Sequence, residues 1–313
     1  MISYVARRLC TSLALAVLVT MDTFFLLSFS FTSVAAGMVG DSATPAAVQA
    51  EKDHLGLGRP VLTQYLDWLS HAVRGDLGTS YFTSQPVRAA IGSSLGVTLS
   101  VVVTALLCTV LISLVLGVLA ASRGGVVDRI AQGLSLLGYV APSLLVAIVL
   151  VVVLALHLHL LRATGFTPIT QDPGQWAASV TIPVIALSMG GIANLTSQIR
   201  GAMIDELRKD YVRTLRTRGI PTRSIVLRHA LRNAAGPALT VLSMEFLTMF
   251  GGALIIEKVF ALPGFGSYAF QASLQGDIPV VMGITLLSVL LVTGINLAVD
   301  LANGWLNPKA RVH

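Results

Sequence analysis

The sequence predicts an all-α integral membrane protein with six transmembrane helices, and three observations carry that prediction. Of its 313 residues, 54% are hydrophobic and only 12% are charged, about half the charge of a soluble domain. Mean hydropathy is +0.80. The charges also gather into short segments separated by apolar runs of about 20 residues, enough to cross roughly 30 Å of hydrocarbon as a helix. Helices rather than strands follow because lipid offers no partners to backbone N–H and C=O groups, and no ten-residue alternating pattern is present. This composition excludes an ordinary soluble enzyme, a disordered chain and a secreted disulfide scaffold. Cys10 and Cys108 both sit in apolar stretches and define no disulfide framework.

The spans are placed in order along the chain. The first is Leu9 to Ala36, interrupted by Asp22. Arg7 and Arg8 before it, with Ser33-Val34-Ala35 near its end, resemble a cleavable signal, but the apolar run exceeds a signal core, so an uncleaved anchor is expected. Val97 to Ala121 is the second and carries no charge. The third lies between Arg129 and Arg162, as a tilted helix with a short lead-in containing Pro142. The fourth, Val180 to Ile199, contains Pro183, Gly190 and Gly191. The fifth, Pro237 to Ile256, is interrupted by Glu245. The sixth is Pro279 to Val299.

Basic residues set the orientation. The N-terminus, the Arg123–Arg129 loop, the segment from Arg200 to Arg232 and the C-terminal tail carry fifteen of the 21 lysines and arginines. By the positive-inside rule these segments, and both termini, are cytoplasmic. The net charge of +6 is therefore topological, and no nucleic-acid partner is expected. Three parts follow: residues 1–96, an N-terminal span with an outer loop; 97–304, a transmembrane core containing the basic loop 201–236; and 305–313, a tail.

In the outer loop Leu62, Tyr65, Leu66, Leu69 and Val73 recur at helical spacing with Trp68 beside them, which predicts an amphipathic helix at the interface. It either covers the bundle or offers a platform to something outside. In the basic loop, Asp205 and Glu206 come early and Arg213, Arg216 and Arg218 late, matching the dipole of one helix that ends near Arg218. Gly219 suits a left-handed helix ending and Pro221 the start of a second, short helix. That helix has Ile225, Val226, Ala230 and Leu231 on an apolar side and Arg223, Arg228 and Arg232 on a basic one. Two helices and a fixed turn are more than orientation requires.

These residues resemble the loop by which ATP-binding-cassette importer permeases dock on their ATPase. Arg213-Thr214-Leu215 with Gly219, followed by Arg228-His229-Ala230-Leu231-Arg232-Asn233, is similar to the dipeptide/oligopeptide permease variant. Arg74-Gly75-Asp76-Leu77-Gly78-Thr79-Ser80-Tyr81, then Glu257, Phe260, Pro263-Gly264-Phe265-Gly266, Asp277-Ile278-Pro279-Val280-Val281 and Asn307-Pro308-Lys309 extend the resemblance over the chain. Departures are Met38-Val39-Gly40-Asp41 in place of Pro-Gly-Asp-Pro, Leu215 in place of alanine, and the acids Asp22 and Glu245 at usually uncharged positions.

The resemblance implies a type I permease fold in a bacterial cytoplasmic membrane. Its expected partners are a second, different permease, two ATP-binding subunits or one fused ATPase, and an extracytoplasmic substrate-binding protein. Peptides are the expected cargo; haem, nickel chelates and glutathione are alternatives. This chain is expected to be no enzyme and to bind no cofactor, with ATP and Mg²⁺ held by the partners. The implied docking residues are Arg213, Thr214, Leu215, Arg216, Arg218, Gly219, Ile220, Pro221, Arg223 and Ser224. Glu245 reads either as a contact for the ligand's ammonium group in the pathway or as a hydrogen-bonded acid between helices, and for Asp22 the second reading is preferred. His157 and His159 have no third ligand nearby in sequence, so no metal site is expected. Gly190-Gly191 and Gly251-Gly252 are expected to let helices approach closely. A secondary transporter or channel is the rival reading, but the sequence shows no inverted repeat.

Overall fold

The structure, a computed structural model, describes residues 2–40 and 44–306. Asp41, Asn307-Pro308-Lys309 and the residues after them lie outside the described residues. Helices dominate. Among the described residues, five are long and apolar enough to cross a membrane, and a bent pair makes a sixth candidate span.

Helix α1 (Ile2–Ser28) ends well before the expected Ala36, and α2 (Phe31–Val39) follows a tight turn. Aromatic packing explains the break. The turn sets Phe31 edge-on to Phe24 with centroids 6.0 Å apart, and Tyr65 lies at the same 6.0 Å from Phe24. Hydropathy cannot separate one apolar helix from two that fold back on each other.

Helix α3 (Pro45–His54) was not expected. It starts with Thr44, whose Oγ1 accepts the Ala47 N–H at 3.3 Å, and with Pro45 in its first turn. Helix α4 (Val61–Val73) is the expected amphipathic helix, rotated from its expected face. Gln64 and Tyr65 are buried, while Leu62, Leu66 and Val73 are exposed. The Tyr65 hydroxyl donates to the Val17 carbonyl at 3.0 Å, because a buried phenol must find a partner.

Helix α5 (Val87–Arg123) carries the second span. The third is not one tilted helix. Its lead-in is a full helix, α6 (Gly125–Val140), and α7 (Ser143–Leu150) continues through the π-helical stretch Val151–His157 at 97° to it. Pro142 sits at the break. It has no N–H for the Gly138 carbonyl, so the helical ladder stops there.

Helix α8 (Pro173–Leu207) carries the fourth span and keeps Pro183 inside it. The Asp172 carboxylate accepts the Gly174 and Gln175 N–H groups at 2.8 and 3.1 Å, which caps its start. Glycines decide which helices meet α8. A Cβ on Gly117 of α5 would lie 2.8 Å from Ile199, and one on Gly138 of α6 3.1 Å from the Met189 carbonyl. A Cβ on Gly191 would lie 2.8 Å from Met249, whereas Gly190 and Gly251 face open space. Of each expected glycine pair, one member at most makes the close approach.

Past α8 come α9 (Asp210–Thr217) and the single turn α10 (Thr222–Ser224). The π-helical stretch Ile225–Ala230 joins α10 directly to α11 (Leu231–Val259), and α12 (Phe265–Gln275) and α13 (Ile278–Leu306) complete the chain.

The chain divides into two compact units. One joins Met1–Val97 to Pro263–Leu297; the other holds Thr98–Leu262 with Ala298–His313. In the first, a core of Phe24, Phe31, Leu57, Tyr65, Ile278 and Met282 ties α1, α2 and α4 to the start of α13. In the second, Leu195, Ile199, Met203, Val226 and Ala230 form the core where α8 meets the start of the α10–α11 helix.

Candidate functional site

The basic loop is built on a rigid base. Helix α8 stops at Leu207, where Lys209 takes an extended conformation, so the single helix expected to reach Arg218 is in fact two. Glu206, at the last turn of α8, is 6% exposed. Its carboxylate accepts from Lys209 Nζ at 2.5 Å, the Tyr211 hydroxyl at 2.9 Å and Asn233 Nδ2 at 3.0 Å. One acid therefore joins α8, α9 and α11. A buried charge is costly unless its lone pairs are satisfied, and this one has three donors. Glu206 holds the Lys209 ammonium above the usual lysine range. Burial, with Glu206 beside it, pushes the Tyr211 phenol up.

Helix α9 ends as the sequence predicts. Gly219 has φ +78°, its N–H bonds the Arg216 carbonyl at 3.0 Å and the Ile220 N–H bonds the Leu215 carbonyl at 3.2 Å. These are the two bonds of a Schellman ending, which commonly carries an apolar contact between the residues at Leu215 and Ile220. Both are half-buried, so the leucine at the usual alanine position suits the turn. Below them Val212 is fully buried. The polar residues point away: Arg213, Thr214, Arg216, Arg218 and Arg223 are exposed, as are Gly219 and Pro221, and Ser224 is half-buried. Arg213 lies 3.7 Å from Asp210, both highly exposed; Arg216, Arg218 and Arg223 have no acidic partner among the described residues.

The second helix of the loop is not short. From Thr222 it runs unbroken through the π-helical stretch into the fifth span, with Ile225, Val226 and Ala230 buried and Arg223, Arg228 and Arg232 exposed, as expected.

Glu245 lies on α11, 8% exposed, and accepts from Asn194 Nδ2 of α8 at 2.6 Å. It borders a cavity of about 300 Å³ with Gly138, Tyr139, Gly191 and Asn194. A second cavity of about 500 Å³ shares Tyr139 and Asn194 and reaches Arg200, which pairs with Asp128 of α6. Asp22 is exposed on α1, not packed between helices among the described residues as the preferred reading had it. The two in-membrane acids therefore have different surroundings. His157 Nδ1 donates to the Val152 carbonyl, 2.8 Å away, and no cluster of three metal-ligating side chains occurs among the described residues.

Two other stretches singled out in the sequence meet in the first unit. Ser80 donates to the Asp277 carboxylate at 2.5 Å, and the Tyr81 N–H reaches the same carboxylate at 3.3 Å. Both Ser80 and Asp277 are buried. In the second unit, Thr98 donates to the fully buried Glu257.

Sequence reasoning missed Glu206, Lys209, Tyr211 and Asn233 as a connected group. The signal was available in part, since Asn233 belongs to a stretch that carries the resemblance. Glu206 was read only as a dipole charge.

Comparison with known proteins places the chain among transport components. Residues 113–312 match the family described as binding-protein-dependent transport system inner membrane component, and residues 1–102 match its N-terminal counterpart. A protein of Sinorhizobium fredii named as a probable peptide ABC transporter permease is 34% identical over 309 residues, 98% of this chain and 99% of its own. The oligopeptide transport system permease protein OppB of Mycobacterium bovis is 33% identical over the whole of both chains. Among solved structures, the MetNI methionine ABC transporter gives a TM-score of 0.58 at 17% identity, covering 72% of this chain and 100% of that one; this likeness concerns the fold.

Proposed function

Because the chain belongs to the family of binding-protein-dependent transport system inner membrane components, we propose that it is a permease subunit of an ATP-driven peptide importer, docking on its ATPase through the loop Arg213 to Ser224. Membership brings the general partners of that family: a second permease, ATP-binding subunits and a substrate-binding protein. Peptide cargo rests on relatives named for peptides that match along their whole length. Both termini and the basic loop face the cytoplasm, by the distribution of arginine and lysine. The bond chemistry of ATP belongs to the partners. This chain's part is to turn their closure into a shift between arrangements of its spans.

The observation that carries the docking assignment is the contrast within α9 and its turn. One side is buried and held by Glu206, while the other, with the adjoining α10, presents Arg216, Arg218 and Arg223 without acidic partners among the described residues. A rigidly mounted, unneutralised cationic edge suits an acidic rim on another protein. Force on α9 is transmitted through Glu206 to α8 and, through Asn233, to the continuous α10–α11 helix and the fifth span.

The test is Gly219→Val in the complex of both permeases, ATPase and binding protein, reconstituted in lipid. A branched side chain at φ +78° is strongly disfavoured, so the turn must rearrange. The variant should still insert, since Gly219 lies outside the spans, but peptide uptake should fall about tenfold or more relative to ATP hydrolysis. Normal coupled uptake would defeat the assignment.

A further inference from the structure

The two halves of the broken third span leave a negative site facing Glu245. At the end of α6 the Gly138 carbonyl has lost its usual donor, because residue 142 is proline. Ala141 is extended, and its N–H turns back to the Leu137 carbonyl at 3.0 Å. The C-terminal end of a helix carries partial negative charge, and discontinuous spans use such ends to hold cations. Gly138 and Ala141 line the same cavity of about 300 Å³ as Glu245.

The carboxylate is only half satisfied. Oε1 accepts from Asn194, while Oε2 has no hydrogen-bond partner among the described residues. Its surroundings keep it so: Gly191 faces it, and a Cβ there would stand 2.9 Å from Oε2 and 2.8 Å from Met249 Cε. A glycine, a free carboxylate oxygen and a helix end stripped of a donor therefore converge on one space. No lysine or arginine lines it. An acid 92% buried, with one oxygen open to a cavity, calls for a cation to complete it.

We propose that this cavity is a binding site for a primary ammonium group, with Glu245 Oε2 as its counter-charge and the carbonyl end of α6 as its second acceptor. Such a group is borne by a peptide's N-terminus or by a lysine side chain. A volume of about 300 Å³ is at the small end of ligand sites, which suits one end of a peptide rather than its whole length. The identification of the cation as cargo rests on the peptide-importer reading above; the cation preference of the cavity does not.

The experiment therefore has two readouts. Cys10 and Cys108 are replaced by serine, Thr248, which lines the cavity, is replaced by cysteine, and the complex in lipid is labelled with a cationic or an anionic methanethiosulfonate of similar size. The cationic reagent should react at least about tenfold faster, as a focused negative potential requires, and Glu245→Gln should remove most of that preference. Tripeptides with a free N-terminus should slow labelling. N-acetylated tripeptides without lysine should not, and N-acetylated ones containing lysine show whether the side chain suffices. In transport, Glu245→Gln should raise the KM for free tripeptides about tenfold. If labelling shows no cation preference, or Glu245→Gln leaves it unchanged, the site is wrong whatever the complex transports. If the preference holds but no tripeptide protects, the ammonium ligand is not a peptide and the cargo assignment falls with it. If the parent complex transports no peptide at all, the importer reading fails, and the labelling result stands apart from it.

Discussion

Gly219 and Ala261 occupy the same place in the same kind of helix ending. At Ala261 the backbone has φ +49°, its N–H bonds the Lys258 carbonyl at 3.4 Å, and the Leu262 N–H bonds the Glu257 carbonyl at 2.9 Å. Glycine adopts that conformation freely, whereas alanine costs about 1–2 kcal/mol. Ala261 is exposed, so its methyl group contributes little packing in return. Ala261→Gly should therefore stabilise the protein by about 0.5–1 kcal/mol after the greater freedom of the unfolded chain is counted. A denaturation midpoint in detergent checks this, and a fall in the midpoint would contradict it. The two sites also show what a sequence can reveal. Gly219 before Ile-Pro announces a turn by its residue type, but alanine carries no mark of a positive φ. Ser80 and Asp277 were each conspicuous, yet nothing local says that residues nearly two hundred positions apart share a hydrogen bond.

At the scale of elements, α9 is the piece whose behaviour depends most on a few contacts. It has eight residues, too few to be stable alone. Burial of Val212 and the bonds of Tyr211 and Asn233 to Glu206 hold it. Asn233→Ala removes the link to α11 and should raise amide exchange in α9 about tenfold, equivalent to losing about 1.4 kcal/mol, while leaving α11 protected. Unchanged exchange would show that the apolar contacts suffice. The Lys209 pKa is raised in the folded protein. Its contribution is therefore complete below the ordinary lysine value of about 10.4 and is lost only as pH rises through the higher folded value. Protection of α9 should accordingly be flat between about pH 6 and 9 with respect to Lys209. The elements themselves were legible where apolar length decides, as for α5, α8 and α13. They were illegible where packing decides: Phe31 folds back onto Phe24, and Pro142 turns an expected tilted span into two helices at 97°. The acid network was hidden because each of its members has an ordinary reason to be where it is.

For the whole molecule, the basic residues make a prediction that packing does not. With the native cysteines replaced, cysteine at Arg216 should be modified by a membrane-impermeant reagent only from the cytoplasmic side, and cysteine at Lys52 only from the other side. Labelling of both from one side would overturn the assigned orientation, and with it the docking role of α9. The division into units also cuts across the chain in a way that a sequence read from end to end does not suggest. Gly283 of α13 sits where a Cβ would be 2.8 Å from Val87, so the last span belongs in part with the first hundred residues.

The uninterrupted helix from Thr222 to Val259 has a further consequence, one of phase. A π-helical stretch holds one more residue per turn than its neighbours, with the Leu231 N–H reaching back five residues to the Val226 carbonyl. Everything beyond it is thereby indexed, like a cam on a shaft, about 100° from where a plain helix would put it. Removing one residue between Ile225 and Ala230 would leave the membrane insertion and the loop's charges almost untouched. It would instead turn Glu245 away from Asn194, and Asn233 away from Glu206 with it. The extra residue sets the angular registration between the proposed docking surface and the face that lines the cavity.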